Sequence, residues 1–294
     1  MDLNLGITPA RLQQMVETAL DEDLGRGDLT SDYFIPAHIQ AQGDFVARQA
    51  GVLAGIEVAA VVYAAVSSQV SFESLLVDGT RLERGTKIAR VSGPARLLLR
   101  GERVALNFVQ RLSGVASLTA RYVAAITGTQ ARIVDTRKTT PGLRDLEKYA
   151  VRAGGGFNHR RDLSDGVMLK DNHVEVLTAA GFNLTDALKA ARQTLPHLIK
   201  IEVEVDRLDQ IAAALDGGAD VILLDNMHPD LLRQAVAMIG NRALTEASGG
   251  VNLDTVRAIA ESGVNLISVG ALTHSAPALD IGLDFEIKTA TRLA

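Results

Sequence analysis

The second half of the chain sets the tightest constraint on what it can fold into. From Ala131 onward, short β-rich runs alternate with helical stretches, at 132–136, 166–170, 199–205, 220–225, 243–247 and 265–270. Taken at Thr136, Lys170, Val205, Asp225, Ala247 and Gly270, their ends lie 34, 35, 20, 22 and 23 residues apart. Each interval holds one helix and one strand, the rhythm of a parallel sheet. Parallel strands need both faces covered, and so long a series favours closure into a barrel over an open sheet. The preceding residues read as mixed structure. Thr8-Pro9 predicts a capped helix running to Leu20. Apolar stretches at 42–48, 70–77 and 87–91, with a helix over 56–66, predict a small sheet with helices. From 96 to 126 the pattern is helical, with Val104, Phe108 and Leu112 on one stripe and Gly101 and Gly114 as expected interruptions.

Composition removes several classes. At 294 residues and 47% hydrophobic, the chain can bury a full core as one large barrel or two domains. With no cysteine, disulfides, thiolate metal sites and cysteine nucleophiles are excluded. Met1-Asp2-Leu3-Asn4 carries no basic segment leading into an apolar one, and the longest apolar run, 58–66, is nine residues. No export and no membrane span are expected, which predicts a cytoplasmic protein. A net charge of −5 argues against a general nucleic-acid binder.

Against that acidic background, residues 137–170 contain eight Lys or Arg and four Asp or Glu. A local reversal of charge at strand ends predicts a polyanionic ligand, although a solvated basic loop has the same composition. Lys170 closes a strand and is followed by Asp171-Asn172-His173. A lysine there serves as a cation for phosphate or carboxylate, as a Schiff-base amine, or merely reaches into water. Ile201-Glu202-Val203-Glu204-Val205 places two carboxylates on one face of a strand that ought to be apolar on both. Such acids need a cation, a metal or a polar cavity. Glu204 and Asp225, on successive strands, are placed to hold Mg²⁺ through water or to accept hydrogen bonds from sugar hydroxyls; pairing of one of them with Lys138 or Lys170 is the plainer reading. Ser248-Gly249-Gly250 and Ser268-Val269-Gly270-Ala271 end the last two strands, where barrels place phosphate sites. There is no Walker loop, no GxGxxG after a strand and no HExxH.

The runs Asp135 to Arg144, Gly154-Gly155-Gly156 through Asn158-His159-Arg160, Lys170 to His173, Glu202 to Val205, Leu224-Asp225-Asn226, Ser248-Gly249-Gly250 and Ser268 to His274 closely resemble the quinolinate phosphoribosyltransferases. The resemblance extends upstream through Gly101-Glu102-Arg103, Leu112 to Ala116 and Glu22 to Asp28. It implies an α/β fold: an N-terminal α/β sandwich domain, 1–112, to which the tail 276–294 returns, and an incomplete parallel α/β barrel, 113–275. It implies transfer of phosphoribose from 5-phosphoribosyl-1-pyrophosphate (PRPP) to quinolinate with Mg²⁺ as cofactor, releasing pyrophosphate and CO₂, by a homodimer or hexamer of dimers. In that family pattern Arg137, His159, Arg160 and Lys170 line the quinolinate side, Thr136 is a further substrate-binding residue, and Arg103 reaches in from the partner subunit. Lys138 meets donor phosphate, Glu204 and Asp225 hold ribose and metal, and Ser248, Gly249, Gly250, Ser268, Gly270 and His274 form the phosphate end. Lys138, Lys170, Glu204 and Asp225 are the expected catalytic residues. The rival expectations are a related transferase acting on nicotinate or another acceptor, a Schiff-base aldolase and a non-catalytic sensor of phosphorylated metabolites.

Overall fold

A computed structural model describes residues 6–287. Residues 1–5 and the last part of the expected tail, 288–294, lie outside the described residues. The chain divides into two compact units. The first takes residues up to 120, 140–155 and from 275 on; the second takes 121–139 and 156–274.

In the first unit, α1 (Pro9–Leu24) starts where Thr8 Oγ1 accepts the Arg11 N–H and Pro9 occupies the first helical position. It buries Leu12, Val16 and Leu20, one face at four-residue spacing, and runs a turn beyond the expected end. A short α2 (Leu29–Phe34) follows, capped by Asp28. The antiparallel sheet contains β1 (Gln40–Ala47), β3 (Ser71–Ser74), β5 (Lys87–Pro94) and β12 (Ile281–Ile287), in the order β12-β1-β5-β3. A two-stranded ribbon joins β2 (Gly51–Val52) and β4 (Arg81–Leu82). The strand expected over 70–77 is thus cut to four residues. α3 (Ile56–Val66) has no side-chain cap of its own; instead the Asp78 carboxylate accepts the Gly55 and Ile56 N–H groups at 2.7 and 3.1 Å.

α4 (Ala95–Ala125) is continuous, which corrects the expectation that Gly101 and Gly114 interrupt it. Both glycines are there for space. A Cβ on Gly101 would meet the Tyr63 ring at 2.8 Å, and one on Gly114 would lie 2.0 Å from the Pro277 carbonyl oxygen. The boundary expected at residue 112 falls inside this helix. α5 (Arg144–Ala153) belongs to the first unit: its buried Glu147 pairs with Arg111 at 2.6 Å, and Gly154 packs on Ala116 and Thr119.

The second unit is a six-stranded parallel sheet of β6 (Arg132–Val134), β7 (Val167–Leu169), β8 (Ile201–Val205), β9 (Val221–Asp225), β10 (Leu244–Ser248) and β11 (Leu266–Ser268). All six expected strands are present, five of them shorter and β10 displaced by one residue at unchanged length. Their order, β6-β11-β10-β9-β8-β7, makes the first strand neighbour of the last, so the sheet curls round and stays open between β6 and β7. Phe157 stands beside β6 at the opening, bridged to Val134 and exchanging backbone hydrogen bonds with Ile133 and Asp135. Beside the strands α7 (Leu184–Thr194), α8 (Ile211–Asp216), α9 (Pro229–Ile239) and α10 (Val256–Ala260) each bury side chains, whereas α6 (Asp171–Ala179) buries none; α11 (Ala271–His274) ends the unit. Ile201, Val203 and Val205 on β8 and Ile222 and Leu224 on β9 are fully or almost fully buried, as both-face burial of parallel strands requires.

Candidate active site

A cavity of about 660 Å³ opens at the C-terminal ends of these strands. The loop after β6 lines it with Thr136, Arg137 and Lys138, the segment after Phe157 with His159 and Arg160, and β7 with Met168 and Lys170. Glu204 of β8, Leu223, Asp225 and Asn226 of β9 and its end, Glu246 and Ser248 of β10, Gly249, Gly250 and Ser268 of β11 complete the wall. A parallel strand delivers its last residues to the same rim in every unit, which is why residues so far apart in sequence converge.

The geometry is specific at each wall. Asp135, fully buried, accepts the His159 N–H at 2.8 Å and the Asn158 side-chain N–H at 2.6 Å, fixing the segment that carries His159 and Arg160 across the barrel opening. His159 Nδ1 accepts the Arg160 backbone N–H at 2.7 Å, and Nε2 lies 3.0 Å from Glu202 and 3.6 Å from Glu246. Arg160 donates to the Gly166 carbonyl at 2.9 Å. Burial and the nearby Arg137 guanidinium both lower its pKa, and Glu202 opposes them. A cation so placed gains most from an anion entering the cavity. Lys170 Nζ is 3.1 Å from Glu204 Oε2, with the lysine side chain 48% exposed and the glutamate 13%. The plainer pairing therefore occurs here.

At the opposite rim, Asn226 has φ +54° and donates to Asp225 at 2.6 Å. A Cβ on Gly249 would lie 2.2 Å from Asn226 Oδ1, so this glycine makes room for that amide; Gly250, at φ +61°, has open space where a Cβ would project. Thr273 donates to the Lys138 carbonyl at 2.7 Å, and Gly270 leaves room for His274 Nε2 and the Lys138 stem. Gly270 and His274 are therefore beside Lys138 but outside the residues that line the cavity. Arg103 is exposed on α4 and is not among the lining residues either. The sequence reading gives Glu246 no role, although an acid in the middle of Leu244-Thr245-Glu246-Ala247-Ser248 is the same signal that singles out Glu202 and Glu204. Glu204 and Asp225 also line a second space of about 540 Å³ toward α6. Their carboxylate oxygens, on neighbouring strands and facing one cavity, are the donor type that suits Mg²⁺.

A partly open parallel barrel with guanidinium and ammonium groups facing carboxylates across one mouth is an α/β-barrel enzyme built for a small polyanion. Comparison with known proteins narrows the class. Residues 28–113 match the N-terminal domain model and 115–284 the C-terminal domain model of quinolinate phosphoribosyl transferase. The chain is 44% identical to the probable nicotinate-nucleotide pyrophosphorylase [carboxylating] of Bacillus subtilis, with 93% of each chain covered. It is 45% identical to the Mycobacterium leprae enzyme of that name, over 92% of this chain and 95% of the other. The solved structure of NadC from Streptococcus pyogenes shares 40% identity and a TM-score of 0.91, over 96% of this chain and 99% of that one. The chain belongs to the quinolinate phosphoribosyltransferase family.

Proposed function

We propose that the protein is a cytoplasmic pentosyltransferase that moves phosphoribose from PRPP to the ring nitrogen of quinolinate and releases pyrophosphate and CO₂, leaving nicotinate mononucleotide. The observation that carries the reading is the one cavity holding Arg137, Arg160, Lys138 and Lys170 together with Glu204 and Asp225. Two adjacent carboxylates on the acceptor and the phosphates of the donor need that many cations. A Schiff-base role for Lys170 has no support in its setting, because the side chain is half exposed and paired with Glu204 rather than desolvated in an apolar pocket.

In the mechanism, Arg137 and Arg160 hold the acceptor's carboxylates and so aim its ring nitrogen. Lys138, with the backbone around Ser248, Gly250 and Ser268, receives donor phosphate. As the bond from the anomeric carbon to pyrophosphate breaks, its electron pair leaves with pyrophosphate and positive charge grows on the sugar. Glu204 and Asp225 stabilise that charge electrostatically, without forming a bond. Mg²⁺ held by the same two carboxylates would neutralise pyrophosphate charge. The ring nitrogen's lone pair then forms the new bond, and the cationic ring accepts the pair left behind when the adjacent carboxylate departs as CO₂. Placement and charge are the protein's contribution. The assembly we propose is a homodimer or hexamer of dimers in which Arg103, exposed on α4, is supplied to the neighbouring subunit's cavity.

The test is turnover of the purified protein with Mg²⁺, PRPP and either quinolinate or nicotinate, following pyrophosphate and nicotinate mononucleotide together. Product from quinolinate with equal CO₂ is expected. Product from nicotinate alone would overturn the acceptor, and no product from either would overturn the reaction.

A further inference from the structure

Loss of CO₂ leaves an electron pair on a ring carbon, and that carbon must gain a proton before nicotinate mononucleotide can leave. The cations and carboxylates that meet the substrates are committed to substrate charge or to one another, Lys170 with Glu204 at 3.1 Å. The cavity floor offers another candidate. Glu246 sits mid-strand on β10 and contributes to the cavity wall, yet its side chain is only 1% accessible. Its strand neighbours in register, Leu223 and Leu266, are apolar. Its charged and polar surroundings come from other strands: Glu202 of β8, His159 from the barrel opening, Asp135 after β6 and Ser268 of β11. One oxygen each of Glu202 and Glu246 is buried without a hydrogen-bond partner.

We propose that Glu246 is a further catalytic residue, the acid that protonates the ring carbon vacated by CO₂. The inference rests on the reaction proposed above. The carbon–carboxylate bond breaks as the proton is delivered, so that CO₂ departs only as fast as the acid supplies it, and the pair goes to the ring carbon beside the cationic nitrogen. That pair takes the proton of Glu246, whose O–H electrons remain on the carboxylate. After product release the carboxylate regains a proton from water. Two nearby acids, Glu202 and Glu246, cannot both ionise cheaply in a buried floor. Burial first, then Glu202 and Asp135, push the Glu246 carboxyl up to about 7, against the opposing pull of His159 and Ser268. His159 lies nearer Glu202, at 3.0 Å, than Glu246, at 3.6 Å, so its pull offsets only part of that rise. The same three side chains bring donor atoms within 4.8 Å of one another, a spacing open to a metal ion. Against that, the N–H that Arg160 gives to His159 Nδ1 leaves the ring's own proton on Nε2, the atom an ion would need.

The experiment measures pyrophosphate and CO₂ separately for wild type, Glu246→Gln and Glu246→Asp. In Glu246→Gln we expect pyrophosphate release in a first turnover within a few-fold of wild type, CO₂ release at least tenfold slower, and accumulation of the dicarboxylated nucleotide. Glu246→Asp, which keeps an acid, should recover part of the CO₂ rate. In wild type the CO₂ step should decline as pH rises through about 7, a limb missing from Glu246→Gln. Equal pyrophosphate and CO₂ rates in Glu246→Gln, or equal loss of both in a folded Glu246→Gln, would overturn the role. Should Glu246→Gln fail to fold, a wild-type CO₂ step that is flat between pH 6 and 8 would overturn it as well. A wild type that releases no pyrophosphate overturns the reaction itself and is told apart by that reading alone.

Discussion

Arg160 lies between a cation and an acid, and the balance decides what it can bind. Burial and Arg137 disfavour its charge, Glu202 supports it, and a substrate carboxylate would relieve the imbalance. Replacing Arg160 or Arg137 by Ala should leave that carboxylate desolvated and unpaired, at a cost of about 3–4 kcal/mol, or two to three decades in kcat/KM for quinolinate. Steady-state kinetics check it, and near-wild-type turnover of either variant would sink the assignment. Lys170 gives a second expectation. Because it is paired with Glu204 at 3.1 Å, borohydride with a carbonyl compound should trap no adduct on it by mass spectrometry. Both arginines are readable from the charge reversal between 137 and 170, since the signal is local. The environment of His159 is not: its partners Glu202 and Glu246 stand 43 and 87 residues further along, and only strand pairing brings them together.

At the scale of elements, Gly114 in α4 separates two opposing effects. Helix propensity alone says that Ala should stabilise α4 by about 1 kcal/mol. The added Cβ would lie 2.0 Å from the Pro277 carbonyl oxygen, a backbone atom that cannot swing away. Overpacking of that kind typically costs about 1–3 kcal/mol, so Gly114→Ala should lower the denaturant midpoint rather than raise it. A raised midpoint would show that the contact yields. The same glycine explains why the sequence reading breaks α4. In one dimension a glycine in a helical pattern marks an interruption; the reason for this one lies in a segment more than 160 residues later. The parallel strands, by contrast, are legible because each is a short β-rich stretch set between helical ones, a property of its own few residues. Their order is not, and neither is the opening between β6 and β7.

For the molecule as a whole, buried acids of opposite behaviour set the pH range of greatest stability. Asp44 is held below its usual range, first by the hydrogen bond from Arg90 and also by Lys87, with burial opposing them. Its stabilising contribution is present above the ordinary carboxylate pKa and is lost as pH falls toward its lowered value. Glu246 behaves in the reverse sense. Its folded-state pKa, about 7 against an ordinary 4.5, means that the native state binds the proton more tightly than the unfolded chain does. Stability therefore declines as pH rises from about 4.5 to 7 and is flat beyond, as far as this group is concerned. A shift of that size corresponds to about 3 to 4 kcal/mol, a sizeable part of the about 5–15 kcal/mol that holds a typical protein folded. Chemical denaturation across pH 4–9 should show a maximum near pH 5 and a decline toward pH 8. In Glu246→Gln, which has no proton to lose, the alkaline decline should be reduced and the variant should gain on wild type at pH 8. Parallel curves for the two proteins would mean that Glu246 is already ionised in the folded state, and that the floor of the cavity carries the charge of two carboxylates.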